Sequence, residues 1–199
     1  QCTILLLPLS SNKSTYGLPL RLPLGGTSDK ERYVLARKRN NEQWWRVDLH
    51  AHTPASSDFE QPDVSYLDIL KKAEEKGIDI LAFTDHNTIA GYRALYDEIE
   101  QLEWLEQQKR LQRQEREQLQ EYRRLMEKIL LLPGIEFTAT FGFHVLGIFD
   151  PATSIRTIEH VLIQLKVPVD ELDSGATEVG ATSDVLTAYR TIDEAGGLA

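Results

Sequence analysis

The spacing of apolar residues changes twice between Arg46 and Phe83, and each spacing predicts a different element. Val47, Leu49 and Ala51 alternate with Asp48, His50 and His52, the period of a strand with one polar face. Thr53 and Pro54 end that strand, and Asp58 follows in a polar turn where a carboxylate can fold back. Ser65 then precedes Leu67, Ile69, Leu70 and Ala73, with Asp68 three residues after it. This is a capping-box pattern opening an amphipathic helix, and Gly77 stands where a C-terminal glycine stop belongs. Ile78–Phe83 is an apolar run broken only by Asp79, as expected of a strand buried on both faces of a parallel sheet. It ends in Thr84-Asp85-His86-Asn87. The stretch reads as a βαβ unit whose two strands both end in His and Asp, at the edge where parallel β/α architectures gather functional residues.

Further along, Tyr92 to Lys128 contains neither Gly nor Pro and is rich in Glu, Gln, Arg, Lys and Leu. The pattern predicts one helix of about 37 residues, roughly 55 Å long, with Glu106–Arg110, Arg113–Glu117 and Arg123–Glu127 as i,i+4 pairs. Gln112–Gln118 is wholly polar, so the middle of that helix should protrude, as a solvated insertion (about residues 93–130) or an arm for a partner or nucleic acid. On this reading residues 104–124 bury nothing, and their deletion leaves the domain folded. Ile129–Leu132 and Phe143–Phe149 flank a chain reversal near residues 140–142, and the even separation of Glu136 and His144 places both on one hairpin face. Ser154–Lys166 and Ser183–Ala195 are amphipathic helices, with His160 off the apolar stripe and solvated. Gly196–Ala199 resembles the start of another strand.

Composition narrows the class. At 199 residues the chain makes one domain, or one with appendages. A net charge of −9 argues against non-specific wrapping of nucleic acid. That charge is uneven: residues 1–46 hold eight Lys or Arg against three acids, and residues 132–199 hold three against ten. Residues 1–45 keep no period and read as a poorly specified extension, with one or two helical turns over Tyr33–Arg39. The single cysteine, Cys2, permits no internal disulfide and fits a reducing, cytoplasmic compartment. The apolar run Ile4–Leu9 contains Pro8 and is too short to span a bilayer, so no membrane partner is expected. The chain opens on Gln1 without a methionine, as a fragment or processed product would.

The polar strand ends assemble into His50, His52, Asp58, His86, Glu136 and His144. Four imidazoles and two carboxylates exceed one tetrahedral zinc site and suit two or more bridged divalent ions. Such ions lower the pKa of a bound water and hold both oxygens of an in-line displacement at phosphorus. The expected activity is therefore hydrolysis of a phosphate ester through a metal-bridged hydroxide. Its substrate would be a nucleotide, a small phosphomonoester or a nucleic-acid end. Asp48 and Asp85 would orient the ligands. The alternative is a non-catalytic metal-binding or regulatory module whose long helix docks a partner domain. A metal-dependent amidohydrolase is a third reading that the order of the ligand motifs fits less well.

At these residues the chain resembles the PHP (polymerase and histidinol phosphatase) family. Asp48–Thr53 is similar to its Asp-Leu-His-x-His-Thr motif, with Asp58 at a further ligand position. Thr84–His86 is similar to Thr-Asp-His, Pro133–Glu136 to Pro-Gly-x-Glu, and His144–Leu146 to His-x-Leu. Over residues 46–199 the resemblance implies a distorted (β/α)7 TIM-like barrel, incomplete at the C-terminus. It also implies a centre of two or three divalent ions, usually zinc, manganese or iron. His50, His52, Asp58, His86, Glu136 and His144 would be the ligands, with His50, His52, His86 and Glu136 at the reacting centre. The segment HTPASSDF with the helical insertion is similar to PHP domains that precede an AAA-like or SMC-like ATPase region in longer chains. The family's later histidine and its final Asp-x-His have no match up to Ala199. The 199-residue chain is accordingly expected to be catalytically impaired and a longer one competent.

Overall fold

The structure of the protein, a computed structural model, describes residues 4–8, 44–61, 63–179 and 182–199. Its centre is one sheet in the order β1 (Ile4–Pro8), β2 (Trp44–Ala51), β3 (Ile80–His86), β4 (Leu130–Thr138), β5 (His144–Ile148). β2, β3 and β4 are parallel, and β1 and β5 flank them antiparallel. With the helices around it, the curled sheet makes an α/β half-barrel. The apolar run near the N-terminus is thus an edge strand, with Ile4 opposite Asp48 and Pro8 opposite Trp44. Residues 1–45 show no strand period in the sequence, because β1 acquires its meaning only from a partner some 40 positions away. The helical turns expected over Tyr33–Arg39 lie outside the described residues.

The βαβ unit forms as its pattern requires. Helix α1 (Tyr66–Glu75) is capped by Ser65, whose hydroxyl accepts from Asp68 N–H while the Asp68 carboxylate returns the bond. It buries Leu67, Leu70 and Ala73 against the sheet, and stops at Gly77 with φ +67°. β3 follows, its residues Leu81 to His86 all buried. Between Asp48 and Ala51 the β2–β3 ladder slips by one residue, so strict alternation does not run from Asp48 to His52. Bulges of this kind re-aim side chains beside functional sites.

The single long helix expected over residues 92–128 is two helices. α2 (Ala90–Gln107) and α3 (Arg113–Met126) meet at a sharp turn and pack on each other, and α3 packs on α1 as well. α2 ends in a Schellman-type closure: Lys109 has φ +56°, and Arg110 N–H donates to the Leu105 carbonyl. The expectation that residues 104–124 bury nothing is overturned, because Leu111, Leu119 and Tyr122 are buried within the main core. Tertiary ion pairs tie α3 to its neighbours. Arg123 reaches Glu103 and Glu106 on α2, and Arg124 grips Glu74 on α1. Arg113–Glu117 forms as anticipated, on the surface.

Beyond β5, α4 (Ile155–Gln164) and α5 (Val185–Glu194) are capped by Ser154 and Asp184. Leu198 makes an antiparallel bridge to Ile148. No helix among the described residues is long and apolar enough to cross a membrane.

Candidate metal centre

The three parallel strands all deliver their C-terminal ends to one place. Register sets His86 of β3 beside Glu136 of β4, and the antiparallel return of β5 sets His144 beside Thr138, one diagonal step from Glu136. The even separation of Glu136 and His144 thus does put both on one face, diagonally rather than opposite. His50 is the penultimate residue of β2, and His52 and Asp58 follow in the loop after it.

Glu136 is the hub. His50 Nε2 and His52 Nε2 each lie 2.7 Å from its Oε2, and His144 Nδ1 lies 2.5 Å from its Oε1. His86 Nδ1 stands 3.5 Å from the same Oε2. Asp58 closes the opposite side, 3.3 Å from both His52 Nδ1 and His86 Nε2. Three overlapping triads result: His50–His52–Glu136, His52–Asp58–His86 and His86–Glu136–His144. The ligating atoms of each triad lie within 4.8 Å of one another, and the triads are joined through His52, His86 and Glu136. All six residues singled out in the sequence therefore meet in one cluster. His160 is exposed and outside these triads.

The loop after β2 is pinned from beneath by Asp85. This buried carboxylate accepts from Thr53 N–H (2.7 Å), Thr53 Oγ1 (2.8 Å) and Ser56 Oγ (3.0 Å). Ser56 Oγ in turn accepts from His86 N–H. Asp85 thus acts on the ligands through the backbone that carries them, and no imidazole donates to it. Asp48, also buried, accepts from His50 N–H at 3.3 Å. Gly91 is obligatory here, since a Cβ would overlap both Asp85 Oδ2 and Thr53 Oγ1. A second strap crosses the site from residues 175–177. Gly175 lies against Ala55, Ser57 N–H donates to the Gly175 carbonyl, and Asn87 Nδ2 donates to the Ala176 carbonyl. Asn87 adopts φ +51°, which turns the chain off β3, and its Oδ1 accepts from Thr138 N–H. The pinning roles of Thr53, Ser56, Gly91 and Gly175 escaped the sequence reading, although Thr53 and Ser56 both lie within the segment HTPASSDF.

Electrostatics separates the groups. Burial pushes the Glu136 carboxyl up, but hydrogen bonding to His50, His52 and His144 outweighs it and holds the group well below the usual carboxylate range. The bond to Glu136 raises His52 against the lowering effect of burial. Burial lowers His86 and raises Asp85, the latter opposed by the Thr53 and Ser56 bonds. His86 Nδ1 is buried and has no hydrogen-bond partner. A buried imidazole nitrogen without a hydrogen-bond partner, beside the Glu136 carboxylate, is a donor that a cation could use. The donor set of imidazoles and carboxylates is the one that zinc, iron and manganese accept, so the residues fit divalent metal.

Residues 48–138 match the family model described as the PHP domain. The match contains every cluster residue except His144, which lies just past its end. A solved structure from Bifidobacterium adolescentis, assigned as a metal-dependent phosphoesterase, is 20% identical to the chain with a TM-score of 0.32. It covers 75% of this chain, and this chain spans 50% of it. So low a similarity carries no argument about the PHP site. No curated protein matches the chain.

Proposed function

We propose that the protein is a metal-dependent phosphoesterase that hydrolyses a phosphate ester of a nucleotide, a small phosphomonoester or a nucleic-acid end. The single observation carrying this reading is the set of three triads joined through Glu136, His52 and His86. In that arrangement the carboxylates and imidazoles would hold two or three divalent ions (Zn, Mn or Fe). Bound there, such ions supply Lewis acidity at a phosphoryl oxygen and an activated water.

The chain's own residues do the rest. His50, His52, Asp58, His86, Glu136 and His144 would hold the metals, and the low Glu136 pKa keeps its carboxylate ionised throughout the neutral range. Asp85 fixes the 53–56 loop, so His52 and Asp58 are presented with little conformational freedom. Placement matters because an error of about 1 Å at a reacting centre can cost ~10²-fold in rate. Half-exposed His50, His144 and Asp58 mark the open side, where a phosphate would enter. We further propose that the half-barrel belongs to the distorted (β/α)7 form, in keeping with its three central parallel strands.

The test is metal analysis with phosphate release. Protein reconstituted with Mn²⁺ or Zn²⁺ should hold at least two ions per chain and release phosphate from a phosphomonoester. E136Q should lose more than about 10²-fold in metal affinity, since changes beyond the direct ligands alone cost ~10–100-fold. Absence of stoichiometric metal would sink the reading; metal without turnover would favour the regulatory module.

A further inference from the structure

At the end of β3 the chain leaves the sheet, yet β4 must stay in register beside the centre, and one residue meets both demands. Asn87 is fully buried and adopts φ +51°, a left-handed conformation that Gly, Asn and Asp tolerate and other side chains resist. Its N–H donates to the Glu136 carbonyl at 2.9 Å, continuing the ladder in which His86 stands beside Glu136. In a parallel ladder the next bond runs from Thr138 N–H back to the residue that has just donated. Here the side-chain Oδ1 of Asn87 accepts that bond, at 2.9 Å. Two bonds to Asn87 therefore fix the backbone from the Glu136 carbonyl to the Thr138 amide. The other end of the same side chain faces the strap: Asn87 Nδ2 donates to the Ala176 carbonyl (2.8 Å) and to Thr138 Oγ1 (3.2 Å), and Thr138 Oγ1 donates to the Thr177 carbonyl (2.6 Å). That strap also receives Ser57 N–H at the Gly175 carbonyl, next to the ligand Asp58.

We propose that Asn87 is a positioning residue for the metal centre, holding Glu136 through the backbone of residues 136–138 and locking that backbone to the strap beside the Asp58 loop. The proposal rests on the reading of Glu136 as a metal ligand and names what aims it. Glu136 belongs to two of the three triads, so a shift of its backbone disturbs both at once. The chemistry of the position explains why asparagine stands there. Glycine accepts the turn but has no Oδ1 for Thr138. Ionised aspartate keeps an acceptor for Thr138 N–H but has no donor for the Ala176 carbonyl. Alanine offers neither and resists the turn.

The experiment compares wild type, N87G, N87D and L119A, the last a core change on α3, away from the triads, that lowers stability. Zn²⁺ affinity is measured by chelator competition on protein shown to be folded by circular dichroism. Exchange of the Thr138 amide is followed by NMR in EDTA. N87G should bind Zn²⁺ ~10- to 100-fold more weakly, the loss expected when a group supporting a ligand is removed, and its Thr138 amide should exchange at least about tenfold faster. N87D should retain slow Thr138 exchange and most of the affinity, and L119A should retain both. Equal Zn²⁺ affinity in wild type and N87G overturns the proposal. An equal loss in L119A also overturns it, because the effect would then be one of stability alone, and an equal loss in N87D overturns the role of the Thr138 bond. Should N87G fail to fold, wild type decides: an unprotected Thr138 amide overturns the proposal, and a protected one that slows further with Zn²⁺ supports it. No stoichiometric metal in wild type, with Thr138 exchange still dependent on Asn87, discards the phosphoesterase reading and keeps the Asn87 clamp on the Glu136 backbone.

Discussion

Two carboxylates, Glu136 and Glu74, are each surrounded by basic groups, and they do opposite things. Glu74 on α1 accepts both guanidinium nitrogens of Arg124 at 2.6 Å and the Lys128 ammonium at 2.5 Å. Its partners carry permanent charge, every group is satisfied, and the knot lies at the surface, with the Glu74 side chain 30% exposed. Glu136 is 4% exposed and is surrounded by imidazoles, which titrate and, when neutral, keep a lone pair for a cation. The first arrangement is complete as it stands and ties α3 to α1. The second leaves His86 Nδ1 without a hydrogen-bond partner and has the donor set to take up a divalent ion. A cluster of opposite charges is thus not in itself a site; burial together with an unsatisfied lone pair is what separates the two.

The sharpest way to break this comparison is to ask what holds α3. If the ion pairs are secondary, its apolar seam must dominate, since exposed pairs contribute little. Leu119 and Tyr122 are fully buried, so L119A should destabilise by ~2–5 kcal/mol. Removal of residues 104–124 should abolish soluble folded protein. Urea denaturation and expression yield measure both. A folded deletion variant would restore the protruding insertion anticipated from sequence.

On the Glu136 side, D85N should leave the ligands in place but loosen the loop carrying them. It removes the charge that accepts from Thr53 and Ser56, and the expected loss is ~10–100-fold in metal affinity, read by chelator competition. Unchanged affinity would show that the strap through Gly175 and Ala176 suffices to fix the loop.

These two regions also differ in how much the sequence disclosed. The cluster was legible because His50, His52 and His86 sit at or just beyond the ends of β2 and β3, and Glu136 and His144 flank the turn between β4 and β5. The pins beneath it were not, since Thr53, Ser56 and Gly91 act through contacts made only once the chain has folded. Helix ends show the same divide. Four helices close with the same left-handed turn, α1 at Gly77, α2 at Lys109, α4 at Lys166 and α5 at Gly196. The glycine closures can be read from composition; Lys109 cannot, and nothing else marked the break between α2 and α3. The register that slips between Asp48 and Ala51 was hidden likewise, because a bulge depends on the neighbouring strand.

The smallest effect belongs to Glu74, and its pH dependence carries a definite sign. The hydrogen bonds from Arg124 and Lys128 hold its carboxyl at about 2, against an ordinary value of 4.5. A carboxyl depressed in the folded state binds its proton more readily when unfolded. Its contribution to stability is therefore complete above about 4.5 and disappears as pH falls through about 2. E74Q cannot titrate, so the difference in urea midpoint between wild type and E74Q should be greatest at neutral pH and shrink between 4.5 and 2. Added salt should reduce that difference at neutral pH, because the partners are solvated. Metal should leave it unchanged, since Glu74 belongs to none of the three triads. A midpoint difference constant from pH 7 to 2 would mean that Glu74 acts through packing rather than charge, and its contrast with Glu136 would then rest on burial alone.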